Sequence, residues 1–237
     1  MKKERKGLYA SILFIALLVG CVLISVLFLL QGRSSVDSAA EPSLSTLVID
    51  PGHGGIDGGA VSDDGTRESD LNLAIALKLR LLAELVGQPV VMTRSDDQNR
   101  ESYADYSEHE DLVRRTELIN RTPGAVLISI HQNDFPTGQP SGSQVFYAAT
   151  PGSEELGKRC HGNLISILDP TNRRVAAPAP RALYITSHVS CPAILAECGF
   201  MSNNFDVQKL CRRDYQVSLA LILTGSLLQY FNEYDRI

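Results

Sequence analysis

The sequence lacks the cysteine patterns of a structural zinc finger. Its five cysteines, at positions 21, 160, 191, 198 and 211, include no CxxC pair and no metal-finger spacing. Four of them lie beyond the apolar N-terminal segment, where disulfides can form, although their connectivity cannot be read from spacing. We expect small buried thiols instead, because free cysteine behaves as a small hydrophobic residue.

The sequence also lacks tryptophan, an internal repeat and an excess of positive charge. Only 6% of the residues are aromatic, but 44% are hydrophobic and 21% charged, a balance that excludes a disordered or low-complexity protein. Without the charged residues before Leu8, Lys+Arg falls from 22 to 18 and Asp+Glu from 27 to 26, so the net charge changes from −5 to −8. Nucleic acid and anionic lipid are therefore disfavoured as partners of the remainder.

Residues 8–30 form one uncharged apolar run. A helix needs about 20 such residues to cross a bilayer, and this run is longer than the roughly 7–15 residues of a usual signal-peptide core. The basic residues that precede it predict a cytoplasmic tail at 1–7, a single transmembrane anchor at 8–30 and a domain on the extracytoplasmic side of the cell membrane. A cleaved signal is the alternative, since Ser38-Ala39-Ala40 offers small residues for a peptidase.

The polar segment 31–45 is a linker, and residues 46–237 are predicted to form one α/β domain. Apolar runs alternate with helical patterns, which favours a mostly parallel twisted sheet flanked by helices on both faces. The predicted strands are 46–50, 89–93, 125–130, 143–149, 182–186 and 193–196, and the predicted helices are 69–86, 107–121, 154–168 and 214–230.

Four side chains capable of metal or acid–base chemistry lie at element ends. His53, His131 and Glu197 follow or end predicted strands, where sites gather in open α/β sheets, and Glu68 precedes a helix. Two imidazoles and a carboxylate suit an open zinc site, and a second carboxylate can move the proton of an attacking water. The structural alternatives are a helix N-terminal acid for Glu68 and an ion-paired strand-end acid for Glu197.

Four motifs, in this order, resemble those of the zinc-dependent N-acetylmuramoyl-L-alanine amidases of bacterial cell walls: DPGHGGIDGGAV, Arg67-Glu68, SIHQN and AECGFMSN. The resemblance covers essentially all of residues 46–232. It implies one Zn²⁺ ion, a general base at Glu197 and a substrate contact at Asn133. It also implies three metal ligands: His53, Glu68 and His131.

The family resemblance implies a peptidoglycan hydrolase that cleaves the amide between N-acetylmuramic acid and L-alanine of the stem peptide. The compact domain on an anchor resembles the sporulation and spore-cortex members, and some relatives need an accessory activator protein. Two other functions remain open: a zinc peptidase that cuts within the stem peptide, and a non-catalytic wall-binding protein.

Two further residues carry expectations of their own. Asp50 can accept a hydrogen bond from a ligand imidazole or stabilise the turn before Pro51. Arg115 falls in a helix that is characteristic of the family, where we expect a structural role.

Overall fold

The computed structural model of the chain describes residues 45–97, 106–137 and 140–234. The predicted tail, anchor and nearly all of the predicted linker, residues 1–44, lie outside the described residues. In the part that is described, no helix combines the length and the apolar character needed to cross a membrane.

Three apolar segments form the parallel centre of the sheet. They are β1 (Thr46–Pro51), β3 (Ala125–Asn133) and β6 (Ala193–Phe200), and nearly every side chain in them is buried. β3 pairs in parallel with β1 on one side and with β6 on the other. Continuous apolar runs are typical of strands that are covered on both faces.

Shorter strands complete a six-stranded sheet of order β2-β1-β3-β6-β4-β5. β2 (Val90–Met92) pairs in parallel with β1, and β5 (Ala177–Pro178) pairs in parallel with β4 (Gln144–Tyr147). β4 is antiparallel to β6. The predicted single α/β domain with a mostly parallel sheet is confirmed.

Within the described residues, six helices connect or follow these strands: α1 (Glu68–Leu85), α2 (Glu108–Arg121), α3 (Ser153–Leu168), α4 (Tyr184–His188), α5 (Asn204–Leu210) and α6 (Arg213–Tyr234). The predicted start of α2 is confirmed by its cap, because the Ser107 hydroxyl accepts a hydrogen bond from the Glu110 amide.

Helices cover both faces of the sheet. Alternate strand residues such as Leu47 and Ile49 pack in the larger core with α1, α3 and α6. Val48, between them, packs in the smaller core with Ile119 of α2 and Ile185 of α4. This alternation follows from the two-residue period of a strand.

The predicted strand at 182–186 is wrong. That segment enters α4, in which the Thr186 hydroxyl donates to the Leu183 carbonyl and Val189 N–H to the Ile185 carbonyl. α4 packs on α2, and this contact buries Ile185. A short apolar run fits a strand or one helical turn equally well, so tertiary packing decided the outcome.

Candidate metal centre

The predicted site residues meet at the carboxyl edge of the central strands. His131 of β3 lies directly opposite Glu197 of β6 in the parallel register. By the strand alternation, both side chains project towards the face that α2 and α4 cover. A cavity of about 40 Å³ beside His53 and His131 is also lined by Leu112 and Ile185 of these two helices.

The loop after β1 brings His53 against His131. His53 has a φ of 59°, a left-handed conformation that is uncommon for a residue other than glycine. A Cβ at Gly52 would lie 2.1 Å from the His131 ring, and one at Gly59 would lie 2.6 Å from the Glu68 carboxylate. Glycine at these two positions therefore allows the backbone to approach both side chains.

His53, Glu68 and His131 form the metal-binding group that the sequence predicts. Glu68 Oε2 lies 3.3 Å from His53 Nε2, and Glu68 Oε1 lies 3.0 Å from His131 Nδ1. The two imidazole rings meet edge to face, with centroids 5.0 Å apart. One donor atom from each residue fits within a 4.8 Å span, so the three can reach a common ion.

Backbone amides hold the Glu68 carboxylate in place. Glu68 is the first residue of α1 and is only 3% exposed. Its Oε2 accepts from Ala60 N–H and its Oε1 from Gln132 N–H, both at 3.0 Å. Burial alone would raise its pKa, but hydrogen bonding and the charge of His131 outweigh burial and lower the pKa to about 2. Glu68 is therefore an anionic oxygen donor at neutral pH.

Asp57 orients His53, a contact that the sequence analysis missed. Asp57 Oδ2 lies 2.7 Å from His53 Nδ1, and Asp57 Oδ1 accepts from Gly59 N–H. Because an ionised carboxylate can only accept, His53 Nδ1 donates to Asp57, and Nε2 is the ring nitrogen that is turned towards Glu68. A carboxylate behind a ligand imidazole is the usual outer partner of a metal-bound histidine. The one available signal was an acid four residues after His53 within a glycine-rich loop.

In the described residues the Asp50 carboxylate accepts no hydrogen bond from an imidazole, and it supports the turn at Pro51 through Arg115. The carboxylate is fully buried and accepts from Arg115 Nη1, Thr93 Oγ1 and Ser129 Oγ. Burial alone would raise its pKa, but the Arg115 guanidinium and the Thr93 hydroxyl outweigh burial and lower it.

Two arginines tie the His53 loop to its surroundings. Arg115 donates to the Pro51 and His53 carbonyls at 2.8 and 2.7 Å, which agrees with the structural role expected for it. Arg94, which the sequence analysis missed, donates to the carbonyls of Pro51, Gly52 and Ser69. These planar side chains fix a loop that has no regular secondary structure.

Glu197 is a buried carboxyl group in register with His131. It is 9% exposed, and its Oε2 is buried without a hydrogen-bond partner among the described residues. Burial raises the pKa of Glu197 to about 7, with the Glu68 charge adding to the increase and the charge of His131 opposing it. A carboxyl group that titrates near neutrality can both take and return a proton.

Asn133 is half-buried at the end of β3. It pairs with Phe200 rather than Gly199, because the β3–β6 register shifts between His131 and Asn133. Its carbonyl accepts from Met201 N–H. The structure therefore places it two residues beyond His131, on the same edge of the sheet.

Two of the four described cysteines match the expected buried thiols. Cys160 and Cys198 are buried, Cys191 is partly buried and Cys211 is exposed. All four are unpaired within the described ranges. Cys198 packs in the larger core, on the face opposite Glu197, and burial raises its pKa to about 12.

The donor set fits a zinc ion. Two imidazoles and one carboxylate are typical ligands of an open zinc site, in which a further position is left for water or substrate. The arrangement also includes an outer carboxylate at Asp57 and a Glu197 carboxylate oxygen that has no hydrogen-bond partner in the part of the chain that is described. The residues on this edge are thus suited to hold a metal and to move a proton beside it.

Comparison with known proteins identifies the family. The chain is 34% identical over 229 residues to the germination-specific N-acetylmuramoyl-L-alanine amidase of Bacillus subtilis, covering 93% of this chain and 95% of that protein. It superposes with a TM-score of 0.74 on the CwlD amidase from Clostridioides difficile, which was solved in complex with the GerS lipoprotein. The two chains are 34% identical, and the match covers 79% of this chain and 98% of that one.

A second solved structure, an N-acetylmuramoyl-L-alanine amidase from Clostridium difficile 630, gives a TM-score of 0.69 at 33% identity and covers 79% of this chain and 97% of that one. The family model for N-acetylmuramoyl-L-alanine amidases matches residues 47–227, a range that contains every residue of the site described above. The chain therefore belongs to the N-acetylmuramoyl-L-alanine amidase family.

Proposed function

We propose that this amidase uses one zinc ion to hydrolyse the bond between the lactyl group of N-acetylmuramic acid and the L-alanine of the stem peptide. The observation that carries the proposal is the convergence of His53, Glu68 and His131, with Glu197 opposite His131. A zinc ion held by these three ligands supplies Lewis acidity, which acidifies water and polarises the scissile carbonyl.

The chain's own residues move the proton. Glu197 accepts it from the attacking water as the water oxygen bonds to the carbonyl carbon. Glu197 then donates it to the alanine nitrogen as the carbon–nitrogen bond breaks. The new lactyl carboxyl group ionises and its proton, the second one of the water, passes to the released amine, so the products are a lactyl carboxylate and an ammonium group. Burial of Glu197 supports this role, since it raises the pKa towards neutrality. We assign Asn133, two residues past His131, to contact with the substrate.

Product analysis tests the bond assignment. The full chain, purified in mild detergent, is incubated with peptidoglycan in the presence of zinc or of a chelator, and the products are identified by mass spectrometry. We expect free stem peptides that begin with L-alanine, only in the zinc sample. Fragments cut within the stem would instead support the peptidase alternative. A folded, zinc-loaded protein that releases nothing would support a wall-binding role or an absent activator.

We also propose that residues 8–30 anchor the protein in the cell membrane, with residues 1–7 in the cytoplasm and the catalytic domain, 46–237, outside. The uncharged run and its basic flank support this arrangement. The test is fractionation: the full chain should remain with membranes after an alkaline wash, and a chain without residues 8–30 should not. Loss of these residues from the mature protein would favour the cleaved signal.

A role in spore peptidoglycan and an accessory partner complete the proposal. The germination-specific relative supports the first, and the complex of CwlD with the GerS lipoprotein supports the second. The partner question is tested by comparing turnover and zinc content of the purified chain with and without candidate lipoproteins. Full activity of the chain alone would remove the need for one.

A further inference from the structure

Asn72 is a fully buried polar side chain one turn into α1. Its Nδ2 donates to the Gly52 carbonyl at 3.1 Å and to Glu68 Oε1 at 3.2 Å. Its Oδ1 accepts from Gln132 Nε2 at 3.1 Å. Both amide hydrogens and the amide oxygen are therefore used inside the protein.

These three partners belong to the three segments that carry the proposed ligands. Gly52 directly precedes His53, Glu68 is itself a ligand, and Gln132 directly follows His131. One side chain from α1 thus connects the three segments, although they are separated by up to 80 positions in the sequence. Glu68 and Asn72 are four residues apart in one helix, so they share a face.

The orientation of the Asn72 amide is fixed by its surroundings. The Glu68 carboxylate and the Gly52 carbonyl can only accept hydrogen bonds, whereas Gln132 Nε2 can only donate. A rotated amide would place oxygen against two acceptors and nitrogen against a donor. Gln132 N–H also donates to Glu68 Oε1, so the carboxylate is held from both the helix and the strand.

We propose that Asn72 is a positioning residue that holds the three ligand segments in their metal-binding arrangement and thereby sets the zinc affinity. The inference rests on the proposed zinc site. Replacing an outer partner of a metal ligand typically weakens metal binding by about 10–100-fold, because the ligands must then be ordered when the ion binds.

The test is zinc affinity, measured by competition with a chromogenic chelator on the full chain stripped of metal. Asn72→Leu removes all three hydrogen bonds at similar volume, and we expect zinc binding to weaken by about 10–100-fold. Asn163→Leu is the matched control, because Asn163 lies in α3 and bonds Ser226 and Gln229 of α6. Both changes should lower the thermal unfolding midpoint, but only Asn72→Leu should lower zinc affinity.

An Asn72→Leu protein that is less stable but binds zinc as tightly as the wild type would show that Asn72 only packs the core, and would overturn the inference. If that variant does not fold, Gln132→Leu provides the second measurement. It leaves the bonds of Asn72 to Gly52 and Glu68 and removes the bond from Gln132 to Asn72, together with the contact between Gln132 and Cys198. We expect zinc affinity to fall severalfold, and unchanged affinity overturns the inference. Failure of the wild type to bind zinc would instead overturn the proposed function.

Discussion

The Asp57 carboxylate and the His53 imidazole are joined by a 2.7 Å contact that leaves His53 Nε2 facing Glu68. Burial alone would raise the pKa of Asp57, but the hydrogen bond from His53 and that from Gly59 N–H outweigh burial and lower it. The ionised Asp57 carboxylate therefore fixes which ring nitrogen of His53 is turned towards Glu68.

Asp57→Asn should weaken zinc binding by about 10–100-fold, because the amide neither fixes the tautomer nor increases the basicity of His53. The measurement is zinc affinity by chelator competition. The matched control is Asp63→Asn, an exposed change in the same loop region, for which affinity should be unchanged. Equal affinities for wild type and Asp57→Asn would contradict the role given to this contact.

Gly52→Ala should abolish zinc-dependent turnover. The added methyl group would lie 2.1 Å from the His131 ring, so the imidazole would have to leave the position in which it faces Glu68. Overpacking of this kind also destabilises by about 1–3 kcal/mol. Turnover on peptidoglycan and the free energy of unfolding measure the two effects.

The control for Gly52→Ala is Gly162→Ala in α3. No heavy atom of the described chain lies within 4 Å of a Cβ at this position, outside the helix's own backbone and its neighbours. We expect full turnover and a gain of up to about 1 kcal/mol in stability from helix propensity. Full turnover by Gly52→Ala would show that His131 does not need its present position.

Asp50→Asn should destabilise the protein in a pH-dependent way. Removing one member of the buried Asp50–Arg115 pair destabilises by about 3 kcal/mol at pH 7, the lower end for buried pairs. The pKa of Asp50 is lowered in the folded protein from its ordinary value of 3.8. Its ionisation therefore stabilises the fold fully above that value, and this contribution is lost as the pH falls through the lower folded pKa.

The difference in unfolding free energy between wild type and Asp50→Asn, measured with urea, should be constant from pH 7 to about 5 and narrow below about pH 4. Asp214→Asn is the control: Asp214 pairs with Arg212 on the surface, where such pairs contribute little to stability, so the difference in unfolding free energy should stay small at every pH, well below that of Asp50→Asn at pH 7. If the difference in unfolding free energy between wild type and Asp50→Asn does not change with pH, ionised Asp50 does not stabilise the fold in the way described.

The ligand residues could be predicted from the sequence because each lies at a strand or helix end within a short motif. His53 and His131 follow apolar runs whose parallel pairing brings their ends together. Glu68 opens the helix after the His53 loop. These local motifs predict a common site because the carboxyl ends of parallel strands lie at one edge of the sheet.

Apart from Arg115, the supporting residues could not be predicted because their contacts join distant positions. Asn72 and Gln132 are 60 residues apart and meet only because alternation in β3 turns Gln132 towards α1. Arg94 reaches the His53 loop from beyond β2. The antiparallel direction of β4 likewise depends on tertiary packing that no local pattern encodes.

Turnover by Glu197→Gln at measured zinc occupancy tests the central claim most directly. The substitution is isosteric and leaves His53, Glu68 and His131 untouched, so zinc should bind in equal stoichiometry. Loss of the proton acceptor should reduce release of stem peptides from peptidoglycan by about 10²–10⁴-fold. Unchanged turnover in a fully zinc-loaded Glu197→Gln protein would contradict the account.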